Sequence, residues 1–345
     1  MPDSPPFEPL PLTVLTGFLG AGKTTLLGRL LRSAAFADTA VIVNEFGEVA
    51  LDHELVEAAD ETVVELKGGC LCCAVRGDLA LAVGNLFDRR AAGTVPAFRR
   101  VLLETTGLAD PVPILQTLLH DEGLTRHVRL DLVATLFDAV NGPATLARHA
   151  EAVKQVAVAD RLVLTKCDLA ADRAAAEAAL RRINPAAPLA VSTDGDLAPG
   201  FLLPAAGADP VERDLAPWLV LAPASGHGHG HGAPVADDPN RHDDRVQAWC
   251  LVEERPVPAD ALALFLDTLT AFRGPDLLRV KGLVRIAEEP DRPAVIQGVQ
   301  HVFHPLRRLD AWPGPDRRTR LVVIARDMPQ AQVTELFGAI LDGFD

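Results

Sequence analysis

"LTVLTGFLGAGKTTLLGRLL", residues 12–31, decides the fold of this chain. Leu12 to Thr16 is a short apolar, β-branched run. Gly17 to Thr24 (GFLGAGKT) follows the spacing GxxxxGK(S/T), and Thr25 to Leu31 continues at helical spacing. Strand, glycine loop and helix stand in the order that a phosphate-binding loop requires. The backbone N–H groups of Gly17, Gly20, Ala21, Gly22, Lys23, Thr24 and Thr25 are placed to curl around phosphate oxygens, with the positive end of the helix behind them. Lys23 reaches the β- and γ-phosphates, and the Thr24 hydroxyl is a ligand for Mg²⁺.

Two later strands end in residues that complete such a site. Val101-Leu102-Leu103 runs into Glu104-Thr105-Thr106-Gly107. Glu104 stands where a strand-end acid holds Mg²⁺ or its water, and Gly107 offers an N–H to the γ-phosphate. The next residue is Leu108, so no glutamine stands there to position the attacking water, and slow intrinsic hydrolysis is expected. Leu162-Val163-Leu164 runs into Thr165-Lys166-Cys167-Asp168, a variant of the NKxD loop. A carboxylate at Asp168 accepts both N1–H and the exocyclic N2–H of guanine, a donor pair that adenine lacks, which favours GTP over ATP. Thr165 in place of asparagine removes an amide that would tie this loop to its neighbours, and looser nucleotide binding is expected. Ser192, after the strand Leu189-Ala190-Val191, falls where a base-contacting loop belongs, although a simple strand-end turn accounts for it equally well.

Between the glycine loop and Glu104 lies KGGCLCCAVRGDL, residues 67–79, with Cys70, Cys72 and Cys73 in four positions. The remaining two of the five cysteines, Cys167 and Cys250, are isolated, so a disulfide framework is excluded. Closely packed thiolates repel one another, a divalent cation relieves the repulsion, and soft sulfur favours Zn²⁺ over Mg²⁺. Water, Glu48 or a client residue is left as fourth ligand, and an open fourth position suits exchange better than storage. Redox sensing and inert packing are the competing explanations. The carboxylate-rich stretch NEFGEVALDHE, residues 44–54, follows the strand Val41-Ile42-Val43 and reads as a first switch.

With 345 residues, 48% of them apolar, the chain has material for roughly two domains. A formal charge of −14 excludes the basic footprint of a nucleic-acid binder and makes cations the natural clients. No apolar run approaches the ~20 residues that span a bilayer, and MPDSPPFEPLP has no targeting character, so a cytoplasmic protein without membrane partners is expected.

Composition shifts in the second half. The division expected is a disordered arm (1–10), a nucleotide domain on a mostly parallel sheet (11–204), a flexible linker (205–244) and a small α+β domain (245–345). The linker carries His227, His229 and His231 at alternate positions in GHGHGHG and reads as a weak metal collector. The last part reads as strand (246–253), helix (259–272), strands (277–287, 294–304 and 319–325) and helix (329–341), with Cys250 a core residue. KG at 281–282 and QGVQH at 297–301 are expected at a sheet turn or bulge.

GFLGAGKTTLL, NEFGEVALDHEL, GGCLCC, ETTGLADP, TKCDL, VKGLVRI and IQGVQH together, in this order, resemble the CobW-type P-loop GTPases, relatives of the urease and hydrogenase nickel-insertion GTPases. The resemblance spans almost the whole chain. It implies a fold of a P-loop domain followed by a CobW C-terminal domain. It implies GTP hydrolysis coupled to handling of Zn²⁺ or Co²⁺, with Cys70, Cys72 and Cys73 as the metal site and transfer to a metal-requiring client. Accessory metal insertion in cobalamin-type cofactor synthesis and a non-catalytic zinc store or sensor with a vestigial nucleotide site stand as alternatives, and a metal- or nucleotide-dependent homodimer is a partner to be expected.

Overall fold

The computed structural model describes residues 8–43, 63–65, 74–203 and 245–344. The chain divides into two compact units, and each carries its own sheet. Cys70, Cys72, Cys73, Glu48, the 44–54 switch, His227, His229, His231 and the linker lie outside the described residues.

The first sheet is seven-stranded in the order β3-β2-β4-β1-β5-β6-β7, with β1 Leu10–Gly17, β2 Thr39–Val43, β3 Val63–Glu65, β4 Arg100–Glu104, β5 Val128–Asp138, β6 Arg161–Thr165 and β7 Leu189–Ser192. Every strand pairing in it is parallel. Parallel strands are covered on both faces and therefore read as unbroken apolar runs, as in TAVIV and RLVLT, whose residues are all buried. Helices α1 (Lys23–Leu31), α2 (Ala74–Ala91), α3 (Val112–His120), α4 (Glu122–Thr125), α5 (Gly142–Arg148), α6 (Ala150–Val158) and α7 (Arg173–Ile183) make the connections. Leu26, Leu27 and Leu30 of α1 pack with Leu15, Val41, Leu102, Leu136 and Val163 in one core. That burial holds the glycine loop over the end of β1.

Register sets the site. Glu104 pairs with Leu15 and with Val43, Gly17 with Leu136, and Thr165 with both Asp138 and Ser192. The loops after β1, β4, β5, β6 and β7 therefore leave the sheet at one level, along its carboxyl edge, where ligands of open α/β sheets bind. Gly17 has φ 143°, and a Cβ there would lie 2.5 Å from Leu136 O, so only glycine lets the loop leave β1 pressed against β5.

The second sheet is antiparallel, in the order β11-β10-β9-β13-β8, with β12 on β10. Its strands are β8 Val246–Glu253, β9 Leu277–Val284, β10 Ala294–Val299, β11 Val302–Phe303, β12 Arg307–Arg308 and β13 Thr319–Arg326. Helices α8 (Ala259–Arg273) and α9 (Gln330–Asp342) close its core, where Phe265 and Phe337 meet edge to face at 4.7 Å. This is the α+β layer expected. The strand expected over 294–304 is instead a hairpin: Gln300 takes φ 54°, and Val299 pairs with Val302 across the Gln300-His301 turn. The strand expected to reach residue 287 ends at Val284, leaving only an isolated bridge between Ile286 and Val257. Gly282 has its reason in packing, since a Cβ there would fall 1.9 Å from Arg320 O on β13. Cys250 is half-buried on β8, and burial pushes its thiol up to about 11.

Candidate functional site

Gly20 and Gly22 both adopt left-handed backbone, φ 76° and 90°, in the loop before α1. Gly22 caps α1 without a side chain, so the first turn of the helix presents only backbone N–H groups and no acid. Lys23, the first helical residue, turns back across the loop and donates to Gly17 O (2.9 Å) and Phe18 O (3.4 Å). Beside it the Thr24 hydroxyl donates to Glu104 Oε1 at 3.2 Å. Glu104 is buried at the end of β4. A hydroxyl and a buried carboxylate brought together from positions 80 residues apart, next to a lysine ammonium, fit one hard divalent cation together with the phosphates it accompanies.

The opposing wall is the turn after β4. Thr105 ties it to β1 through Thr16 Oγ1 (2.8 Å) and Leu15 O (3.0 Å). Ala109 N donates to Thr106 O (3.2 Å) to close a turn around Gly107. A Cβ on Gly107 would sit 2.6 Å from Leu19 Cα and 3.1 Å from Lys23 Nζ, so this glycine lies directly against the loop. Between these walls runs a cleft of about 430 Å³ lined by Gly20, Lys23, Thr24, Glu104, Gly107 and Lys166, among others. The structure thus brings together most of the phosphate-side residues expected from the sequence, and Thr25 lines the same cleft.

The base-side loop differs from expectation in one respect. Thr165 does not leave it untied: its hydroxyl lies 2.9 Å from Ala21 O in the glycine loop and 3.2 Å from Phe137 O on β5. One short hydroxyl reaches where a longer amide was thought necessary, because β6 runs next to β5 and brings residue 165 up against the glycine loop. Lys166 takes φ 56° and pairs with Asp138 Oδ2 at 2.8 Å. Asp168 is exposed at the loop's rim. Ser192 Oγ is buried, with no hydrogen-bond partner among the described residues, beside Thr165 in the sheet. The turn after β7, with Gly195 at φ 77°, packs on Thr25 and Arg29 of α1.

Asp138, Lys154 and Gln155 escape a motif reading. Asp138 ends β5 and accepts from Val140 N (2.8 Å), Asn141 N (3.1 Å) and Asn141 Nδ2 (3.2 Å) as well as from Lys166. Burial raises its carboxyl, but the Lys166 hydrogen bond and these donors outweigh burial and hold it below the ordinary value. Gln155 and Lys154 of α6 hold the turn after β4: Gln155 Nε2 donates to Gly107 O and Ala109 O, and Lys154 pairs with Asp110. The signal for Asp138 was an acid closing the apolar run LVATLFD. For Gln155 it was a lone amide inside the apolar helix AVKQVAV.

Residues 11–191 match the CobW/HypB/UreG nucleotide-binding domain, and residues 246–341 match the cobalamin synthesis protein cobW C-terminal domain. The chain belongs to the CobW/HypB/UreG family. It is 33% identical to the zinc chaperone YjiA of Escherichia coli, with 96% of this chain and 99% of that protein covered. It is 32% identical to the zinc chaperone CobW of Pseudomonas aeruginosa, with 94% and 89% covered. The crystal structure of the Zn(II)-bound YjiA GTPase from E. coli superimposes with a TM-score of 0.71 at 28% identity, over 96% of this chain and 99% of that one. The fold expected from the sequence, a mostly parallel P-loop sheet followed by a small α+β domain, is the family's fold. Among the described residues no helix is long and apolar enough to cross a membrane.

Proposed function

We propose that this chain is a GTP-hydrolysing metallochaperone, which binds Zn²⁺ as cargo on Cys70, Cys72 and Cys73 and hands it to a client protein under control of the nucleotide. The observation that carries the reading is the Thr24–Glu104 pair beside Lys23 and Gly107, in a chain that aligns over nearly its whole length with two zinc chaperones. Thr24 and Glu104 would hold Mg²⁺, which neutralises charge on the β- and γ-oxygens when bound. The chain's own work is positional. The N–H groups from Gly20 to Thr25 cradle the phosphates, Lys23 leaves the loop carbonyls for phosphate oxygens, and the Gly107 N–H meets the γ-phosphate. Asp168 reads guanine. Leu108, which is exposed, stands where a water-positioning glutamine would, so hydrolysis is slow until a metal or a partner completes the site. Such a protein works in the cytoplasm, where thiols stay reduced.

The test is calorimetric. By linkage, GTP changes zinc affinity by the same factor that zinc changes GTP affinity. Zinc titrations of the full chain with GDP and with a non-hydrolysable GTP analogue should differ by about 5- to 150-fold. Equal zinc affinities in the two nucleotide states would overturn coupling, and a Cys72→Ser variant with undiminished zinc affinity would overturn the thiol assignment.

A further inference from the structure

The turn around Gly107 is held by a side chain that lies outside every nucleotide-binding motif. Gln155 on α6 is 1% exposed, and its Nε2 donates to Gly107 O at 3.3 Å and to Ala109 O at 3.1 Å. An amide –NH₂ has two hydrogens, and the two carbonyls take one each. The backbone of the same residue is pinned, because Thr135 Oγ1 on β5 donates to Gln155 O at 2.7 Å. Its neighbour Lys154 pairs with Asp110, whose other oxygen accepts from Val112 N (3.0 Å) at the start of α3. Consecutive residues of one helix therefore hold both halves of the segment 107–110.

The glycine makes this hold consequential. The carbonyl of Gly107 belongs to one peptide plane and its N–H to the preceding one, and the two planes hinge at a Cα with almost no conformational preference of its own. Glycine is required there because any Cβ would strike Leu19. The Gly107 N–H lies in the plane of the Thr106 carbonyl, which accepts from Ala109 N at 3.2 Å, and the Gln155 amide, by holding both Gly107 O and Ala109 O, fixes that turn from its other side and with it the hinge.

We propose that Gln155 is a positioning residue for GTP hydrolysis: its side-chain amide holds the Gly107 turn in the orientation that reads the γ-phosphate, and makes α6 the element that feels whether that phosphate is present. The proposal rests on the nucleotide assignment above. Should that assignment fail, the wild-type chain would bind neither GDP nor a GTP analogue, an outcome distinct from those that follow.

Gln155→Met keeps the length and apolar volume of the side chain and removes both donors. In the full chain with Mg²⁺, GDP affinity is expected to stay within about twofold of wild type, whereas the preference for a non-hydrolysable GTP analogue over GDP, and kcat, each fall at least about tenfold. A parallel loss of both affinities would make Gln155 merely structural, and an unchanged preference and kcat would overturn the idea outright. Gln155→Glu supplies a second reading if the methionine variant does not fold. Only its protonated carboxyl can donate to Gly107 O, so its kcat relative to wild type should rise as pH falls from 8 to about 5.5, and a flat ratio would count against the proposal.

Discussion

At the scale of single residues, the site divides into groups that announce themselves locally and groups that do not. Lys23, Thr24 and Gly107 are visible because their spacing is dictated by a backbone loop a few residues long. Lys23→Ala should lower the GTP hydrolysis rate by about 10² to 10³, as loss of one charge-stabilising donor does, while zinc binding measured by a competing chelator stays intact. Asp138 and Gln155 act across 28 and 48 residues of sequence, to Lys166 and to Gly107, so no local pattern exposes their partners. Asp138 has a pH signature. Its carboxyl lies below its ordinary value of 3.8 in the folded chain, so its contribution to stability is complete above that pH and is lost as pH falls through the lower folded value. Asp138→Asn should therefore flatten the acid limb of a denaturation series while changing little of its shape above pH 5. Cys250, with its thiol pushed up to about 11, should resist alkylation at pH 8 in the folded protein and react only after denaturation, as read by mass spectrometry.

Whole elements were legible where burial is two-sided. Strands β1, β2, β4 and β6 are continuous apolar runs because a parallel sheet has no wet face, and α1 follows its glycine loop by necessity. The antiparallel sheet is harder to read. The turn Gln300-His301 between Val299 and Val302 carries no Asn-Gly or Gly-X signal, and a non-glycine residue takes the left-handed position. KG at 281–282 was expected at a turn or bulge. It lies mid-strand in β9, where the glycine admits Arg320 O of β13 at a distance no side chain permits. Gly282→Ala should force β9 and β13 apart and destabilise the second unit by about 3 kcal/mol, seen as a lowered midpoint in denaturant. Unchanged stability of that variant would mean the two strands separate without cost.

For the whole molecule, the order of motifs carries more than any one of them: nucleotide loop, thiol cluster, turn after β4, base loop and antiparallel layer follow one another along a chain whose two family matches cover residues 11–191 and 246–341. Asp168→Asn should move base preference from guanine toward xanthine, whose C2 carbonyl accepts where guanine donates, as read by competition between the two diphosphates. The hydroxyl of Thr165 has a consequence for how a ligand meets the chain. Bonded to Ala21 O, it fastens the strand end that leads to Asp168, the proposed base reader, onto the glycine loop proposed to cradle phosphate. Under the proposed site assignment, the two ends of a nucleotide would be received by one preassembled surface, with little ordering entropy left to be lost when both are engaged at once. A nucleoside or a bare triphosphate engages only half of that surface. A whole nucleotide should bind more tightly than its separated parts suggest.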